Sequence, residues 1–227
     1  AAGRRTRDDL VSMNRAAYPE VAEEYIGLAA GAGISHQDML TVALENELVA
    51  FAKQEGLASS ADRGAAFAHR PHAPSPTPRA PKSCTDYHLM AGAHRMWGHN
   101  EDAQPIEANR TYLVEARVGG FGWVGFAYAP HVVGWAYGIN THGLGQSINA
   151  LSPLNVTLGA GINFLARDVL NAATLDDAAT RACAAPAASG QNLNVGSVHE
   201  PGRQLLIETS PVGCSVRELK PPPTGLE

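Results

Sequence analysis

The chain has 227 residues, 44% of them hydrophobic and 17% charged, with a formal net charge of −5 and a pI near 6.0. That composition supports a sizeable core and excludes a strongly basic nucleic-acid surface. Lys and Arg are scattered without a basic stripe, and no apolar run approaches the length of a membrane span.

Residues 6–31 read as helical, with Leu10, Met13, Ala17, Val21, Tyr25 and Leu28 recurring at three- and four-residue steps. Pro19 interrupts the run and predicts two helices or a kink. "GAGIS" (31–35) supplies a stop, and Ser35 is placed to cap a helix through about residue 54, with Leu40, Leu44, Leu48 and Phe51 on one face. Residues 57–83 hold seven Ala, five Pro and four Ser and predict a mobile surface segment. His69 and His72 lie within it, and a pair of that kind in such sequence is rarely a metal site.

From Cys84 the texture becomes β. Strands are predicted at 84–91, 94–99, 110–118, 121–128, 132–139 and 143–150, with Gly, Pro and Asn marking the turns. Helices follow near 159–171 and 174–185, the second opened by Thr174 with Asp176 and Asp177 in its first turn. Three more strands are predicted near 191–198, 203–209 and 213–219. Helices, strands, helices, strands is the order of an α+β domain rather than a βαβ repeat. The organisation expected is a helical segment over 1–56, a linker over 57–83, a core over 84–220 and a tail over 221–227. Cys84, Cys183 and Cys214 are far apart and form no CxxC pair, so neither a zinc site nor a disulfide framework is expected. The sequons Asn109-Arg110-Thr111 and Asn155-Val156-Thr157 carry little weight without a signal peptide.

Three stretches can carry chemistry. Cys84 is either a small buried residue at a strand start or a nucleophile. If the chain is cut before it, its own α-amino group, with a pKa of about 7.7–8.0, can take the thiol proton. "GHNEDA" (98–103) is either a polar turn or a site in which Asp102 holds an ammonium group or a substrate amine, leaving His99 and Glu101 toward solvent. "GINTHGLGQSINAL" (138–151) places Asn140 at a turn and Asn149 late in an apolar strand. Asn149 either braces a neighbouring loop or donates its side-chain N–H to an oxyanion. No remaining histidine has ligand spacing, Gly119-Gly120-Phe121-Gly122 opens no helix, and no G-x-S-x-G elbow is present. No metal and no cofactor are expected.

These stretches together resemble the acyl-coenzyme A:6-aminopenicillanate (isopenicillin N) acyltransferase family of N-terminal-nucleophile hydrolases. "YPEVAEEYIGLAAGAGIS" (18–35) and "ENELVAF" (45–51) are similar to its propeptide-side helices. "SCTDY" (83–87) resembles its processing site, "GHNEDA" resembles the Gly-His-x-Glu-Asp-Ala of its β-alanyl-dopamine/carcinine hydrolase branch, and Asp102 lies eighteen positions after Cys84. "GINTHGLGQSINAL" resembles the family's Asn-bearing hairpin, and "NLNVGSVHEPGRQLLIETSP" (192–211) its later strands. Two features depart from the pattern. Ser83 stands where the family has Gly, and the chain ends before a further Asn strand, so an incomplete chain is expected.

The resemblance implies a four-layer αββα fold, here incomplete. Self-cleavage would fall between Ser83 and Cys84 and leave two associated subunits. Cys84 would be the nucleophile, Asp102 would orient its amine, and Asn149 would complete an oxyanion hole. His99, Asn100 and Glu101 would line the substrate site. The implied reaction is hydrolysis of an N-acyl small amine, a β-alanyl amine being the candidate, through a thioester on Cys84. The alternatives are acyl-coenzyme A-dependent acyl transfer and a fold kept as a binding module. A small-molecule partner is expected, with neither nucleic acid nor membrane. The compartment is open, with the cytoplasm favoured.

Overall fold

A computed structural model describes residues 2–56, 84–91, 94–102, 107–151, 153 and 155–219. The expectations for the 57–83 segment, for Ser83 and for the 221–227 tail lie outside these residues. Pro19 starts a second helix rather than kinking one: α1 is Ala2–Ala17 and α2 is Pro19–Ala32. Proline at a first helical position gives up no intrahelical hydrogen bond and presets φ. Gly33 closes α2 in the left-handed region, at φ 68°. Ser35 caps α3 (His36–Ala43) by accepting from the Asp38 backbone N–H at 3.1 Å, as its sequence position predicts.

The single helix expected over 35–54 is two. It breaks at the buried Leu44, whose backbone leaves the helical region, and α4 (Glu45–Gln54) starts at the next residue. The turn at Leu44 lets Glu47 reach the interior, where it accepts from the Ile162 N–H at 3.0 Å and from Ser189 Oγ at 3.1 Å.

Strands β1 (Thr85–Ala91) and β2 (His94–Asn100) form an antiparallel hairpin. Strands β3 (Thr111–Val118), β4 (Phe121–Tyr128), β5 (Tyr137–Asn140), β6 (Leu144–Leu151), β7 (Gly190–Ser197), β8 (Gln204–Ser210) and β9 (Gly213–Glu218) form one sheet whose spatial order is the chain order. Every neighbouring pair in it is antiparallel. The strand expected over 132–139 shrinks to β5. Val132, Val133 and Ala136 are buried before it, and Gly134 at φ 119° lies against the backbone of Ala166, so this stretch packs inward instead of pairing.

Helices α5 (Ile162–Val169) and α6 (Leu175–Ala182) fill the connection from β6 to β7. Thr174 caps α6 by accepting from the Asp177 N–H at 3.1 Å. Leu144, Ile148, Leu193, Val195, Leu205 and Ile207 alternate along β6, β7 and β8 and join the helices in one core. Polar side chains on this face brace the helix ends. Gln146 donates to Gly134 O and Ala166 O, both at 2.8 Å, and Asn140 donates to Leu170 O and Ala172 O at 2.9 and 2.7 Å. Asn140 also serves its turn by accepting from the His142 and Leu144 N–H groups.

The helices thus cover one face of the sheet. The β1–β2 hairpin covers part of the other, with the Trp97 indole over Gly145 and Gly196, where a Cβ would come within 3.4 and 3.5 Å of the ring. The chain is α+β, and its described residues stack as helices, sheet and hairpin.

The cysteine expectation is corrected. Cys183, at the end of α6, is disulfide-bonded to Cys214 on β9, with a Cα–Cα distance of 5.4 Å. The partners are 31 residues apart, and the bond depends on α6 running toward the β8–β9 edge, which local Cys spacing does not report. Cys84 is the free cysteine.

Candidate active site

Period-two alternation decides which side chains of β6 and β7 meet the hairpin. On β6, Gly145, Ser147 and Asn149 point opposite to the core residues Leu144 and Ile148. The register pairs them with Gly196, Asn194 and Asn192 of β7. A polar floor results, and the inward face of β1 brings Asp86 down onto it.

Asp86 is the hub. Its Oδ2 accepts from Asn149 Nδ2 and Asn194 Nδ2, each at 2.7 Å. Its Oδ1 accepts from Trp97 Nε1 at 3.0 Å, from His99 Nδ1 at 3.0 Å and from Ser147 Oγ. Burial alone would raise the carboxyl pKa. The hydrogen bonds from His99, Ser147, Trp97 and Asn149 outweigh it and hold the pKa at about 2. Asn194 also donates to Asn192 Oδ1 at 3.2 Å, so both β7 asparagines belong to the network.

His99 lies between two carboxylates. Its Nδ1 faces Asp86, and its Nε2 lies 2.7 Å from Glu101 Oε2. Its side chain is 5% exposed. Burial favours the neutral ring, but hydrogen bonds to Asp86, Cys84 and Glu101 and the charge of Asp86 push the His99 pKa up to about 11. At neutral pH the ring is an imidazolium that donates from both nitrogens. Tyr128, buried on β4, is hydrogen-bonded to Glu101, and burial followed by the Glu101 charge raises its pKa.

Cys84 immediately precedes β1, half-buried, within hydrogen-bonding contact of His99. The Thr85–Asn100 pairing, carried one step further, sets it across from Glu101. The Cys84, His99 and Glu101 side chains each offer one donor atom, and these atoms lie within 4.8 Å of one another. A thiol, an imidazolium fixed at both ends and a bed of amide N–H groups therefore meet under the hairpin.

The predicted site residues divide on this geometry. Cys84, His99, Glu101 and Asn149 come together around Asp86. Asn100 and Asp102 lie at the exposed rim, where Asn100 Nδ2 donates to Asp102 Oδ1 at 3.3 Å. The expectation that His99 and Glu101 face solvent is corrected, since both side chains turn inward, at 5% and 17% exposure. The reason is the pleat: β2 pairs with β1 so that Trp97 and His99 share the face of Asp86. Sequence reasoning missed Asp86, Ser147, Asn192 and Asn194. The available signal was polar residues at alternate positions in strands whose other positions are aliphatic, as in Asn192-Leu193-Asn194-Val195.

A free cysteine held against a buried imidazolium, on an α+β scaffold, is the equipment of an acyl-transferring or amide-cleaving enzyme. The family model for acyl-coenzyme A:6-aminopenicillanic acid acyl-transferase matches residues 89–221, more than half of the chain, and the chain belongs to that family. The matched segment contains His99, Glu101, Asp102 and Asn149 and begins shortly after Cys84 and Asp86. No curated protein matches the chain. No helix among the described residues is long and apolar enough to cross a membrane.

Proposed function

We propose that the chain is a self-processing cysteine amidohydrolase that cleaves an N-acyl small amine, a β-alanyl amine being the candidate, through a thioester on Cys84. The observation that carries this reading is the contact between Cys84 and a His99 imidazolium pinned by Asp86 and Glu101. A cation fixed beside the sulfur can hold the negative charge that develops there as its proton leaves.

In the proposed sequence, cleavage between Ser83 and Cys84 frees the Cys84 α-amino group, which then takes the thiol proton. Asp102, at the rim, orients that amine. The sulfur attacks the substrate amide carbon, and the carbonyl π electrons move to oxygen. Asn149 Nδ2 has two hydrogens, one of which is given to Asp86, leaving the second for this oxyanion. Collapse breaks the C–N bond, the amine leaves with the proton from the Cys84 amine, and the acyl group remains as a thioester. Water then attacks the thioester carbon, releasing the acid and restoring the thiol. His99, Asn100 and Glu101 line the substrate side of this arrangement. The αββα architecture is part of the same proposal. The outer face of the hairpin carries Tyr87, Leu89 and Met96, all more than half exposed, which suits a further packed layer.

The test is the full chain incubated with a panel of N-β-alanyl and other N-acyl amines, with free amine and free acid quantified. Hydrolysis that Cys84→Ser abolishes, together with a fragment starting at Cys84, is the expected result. Turnover by a chain that stays intact at Cys84 would remove the self-processing step. The family's description favours a second reading, acyl transfer from an acyl-coenzyme A thioester. Adding that thioester and an amine acceptor distinguishes the two: new amide indicates transfer, free acid alone indicates hydrolysis.

A further inference from the structure

We propose that Cys84, His99 and Glu101 form a binding site for a thiophilic divalent cation of the Zn2+ type, and that the bound ion caps the Cys84 sulfur. The three donor atoms lie within 4.8 Å of one another. Donors on one tetrahedral Zn2+ at about 2.0–2.3 Å stand roughly 3.3–3.8 Å apart, so shifts of about an ångström close the set. Thiolate, imidazole and carboxylate are the three protein ligand types Zn2+ uses, and the sulfur selects against Mg2+ and Ca2+.

The supporting shell is an independent observation. Asp86 sits 3.0 Å from His99 Nδ1, which leaves Nε2, directed at Glu101 Oε2 at 2.7 Å, as the ligand nitrogen once the incoming ion displaces its proton, and the Cys84 thiol proton, to solvent. A carboxylate behind a histidine in this way is the usual support of a metal-bound imidazole. Asp86 is itself engaged by Trp97, Ser147, Asn149 and Asn194, so it braces the site rather than competing for the ion. Glu101 has its own brace, the Tyr128 hydroxyl. The His99 and Glu101 side chains are largely enclosed, which shields the ion from bulk water. Three protein ligands leave a fourth position for water or a small ligand.

No motif announces this set, because Cys84 comes before β1 while His99 and Glu101 come from β2 and the residue after it. The ion and a thioester compete for the sulfur, since acylation removes the thiolate charge that binds the ion. Metal binding does not depend on the hydrolase reading, because it needs only these side chains in place.

The full chain, stripped with a chelator, is titrated with Co2+ and followed by absorption spectroscopy. A near-ultraviolet sulfur-to-cobalt charge-transfer band is expected, saturating at one ion per chain and bleached by Zn2+. Cys84→Ser removes the band. Glu101→Gln weakens affinity at least tenfold while circular dichroism shows the fold intact, and Asp86→Asn weakens it by roughly 10- to 100-fold. A folded wild-type chain without the band, or a band that survives Cys84→Ser, overturns the proposal. Amide turnover measured in parallel on the stripped chain reports separately on the hydrolase reading.

Discussion

Asp86 Oδ1 lies 3.0 Å from His99 Nδ1, and both side chains are nearly inaccessible, at 7% and 5% exposure. This pair joins the hairpin to the floor of the sheet and fixes which way the ring faces. Asp86→Ala is expected to cost about 3 kcal/mol, because the hydrogen bonds to a charged acceptor are lost and the Asn149 and Asn194 amides lose their partner. Urea unfolding of the variant against wild type measures it. Asp86→Asn, which keeps the shape, is expected to fold better but to leave His99 misoriented, with turnover reduced at least tenfold.

The same pair sets a pH dependence. Asp86, held near 2 against an ordinary value of 3.8, contributes stability above pH 4 that is lost as pH falls toward 2. His99, raised from 6.5 to about 11, contributes stability that is complete below pH 6.5 and declines as pH rises toward 11. Both contributions are present together between about pH 4 and 6.5. The thermal midpoint is expected to fall between pH 6 and pH 9. In His99→Gln that slope should flatten. A midpoint that rises from pH 6 to 9 in the wild type contradicts the assignment.

The sequence made the elements legible and the site only partly so. Ser35, Thr174 and Pro19 mark helix starts through local chemistry, and each does so in the fold. Asp86 was not legible as a hub, because its five donors come from three other strands and its sequence neighbours Thr85 and Tyr87 look like ordinary hairpin residues. The inward turn of His99 follows from hairpin register, which a one-dimensional reading of "GHNEDA" does not contain. The break at Leu44 was hidden for a related reason. The apolar spacing continues through it, and only the distant Ile162 N–H and Ser189 hydroxyl reveal where Glu47 must go.

The Cys183–Cys214 bond predicts a thiol count. Denatured without reductant, the chain should show one reactive thiol, Cys84, and after reduction three. Closing a loop of this length stabilises by about 3.7 kcal/mol on the chain-entropy estimate, so reductant should lower the thermal midpoint. Such bonds persist mainly in oxidising compartments. Recovering the chain from cells with three free thiols would instead support the cytoplasmic location favoured on sequence grounds.

Gly134 combines a positive φ with close backbone contact. Its φ is 119°, and a Cβ there would meet the Ala166 carbonyl oxygen and the Arg167 Cα at 3.1 Å. Gly134→Ala is expected to destabilise by about 2 kcal/mol through strain and contact with α5. Gly202, whose added Cβ would meet nothing within 4 Å, is the control and should change stability little on replacement by Ala. Denaturant midpoints of the two variants give the comparison.

In the proposed reaction Cys84 carries the acyl group. The most direct measurement is a single-turnover incubation of the full chain with an N-acyl amine that it cleaves, quenched in acid and followed by peptide mass spectrometry. The acyl mass is expected on the peptide containing Cys84, labile to hydroxylamine as a thioester is, and absent from Cys84→Ser. Turnover that continues undiminished in Cys84→Ala would contradict a thioester on Cys84.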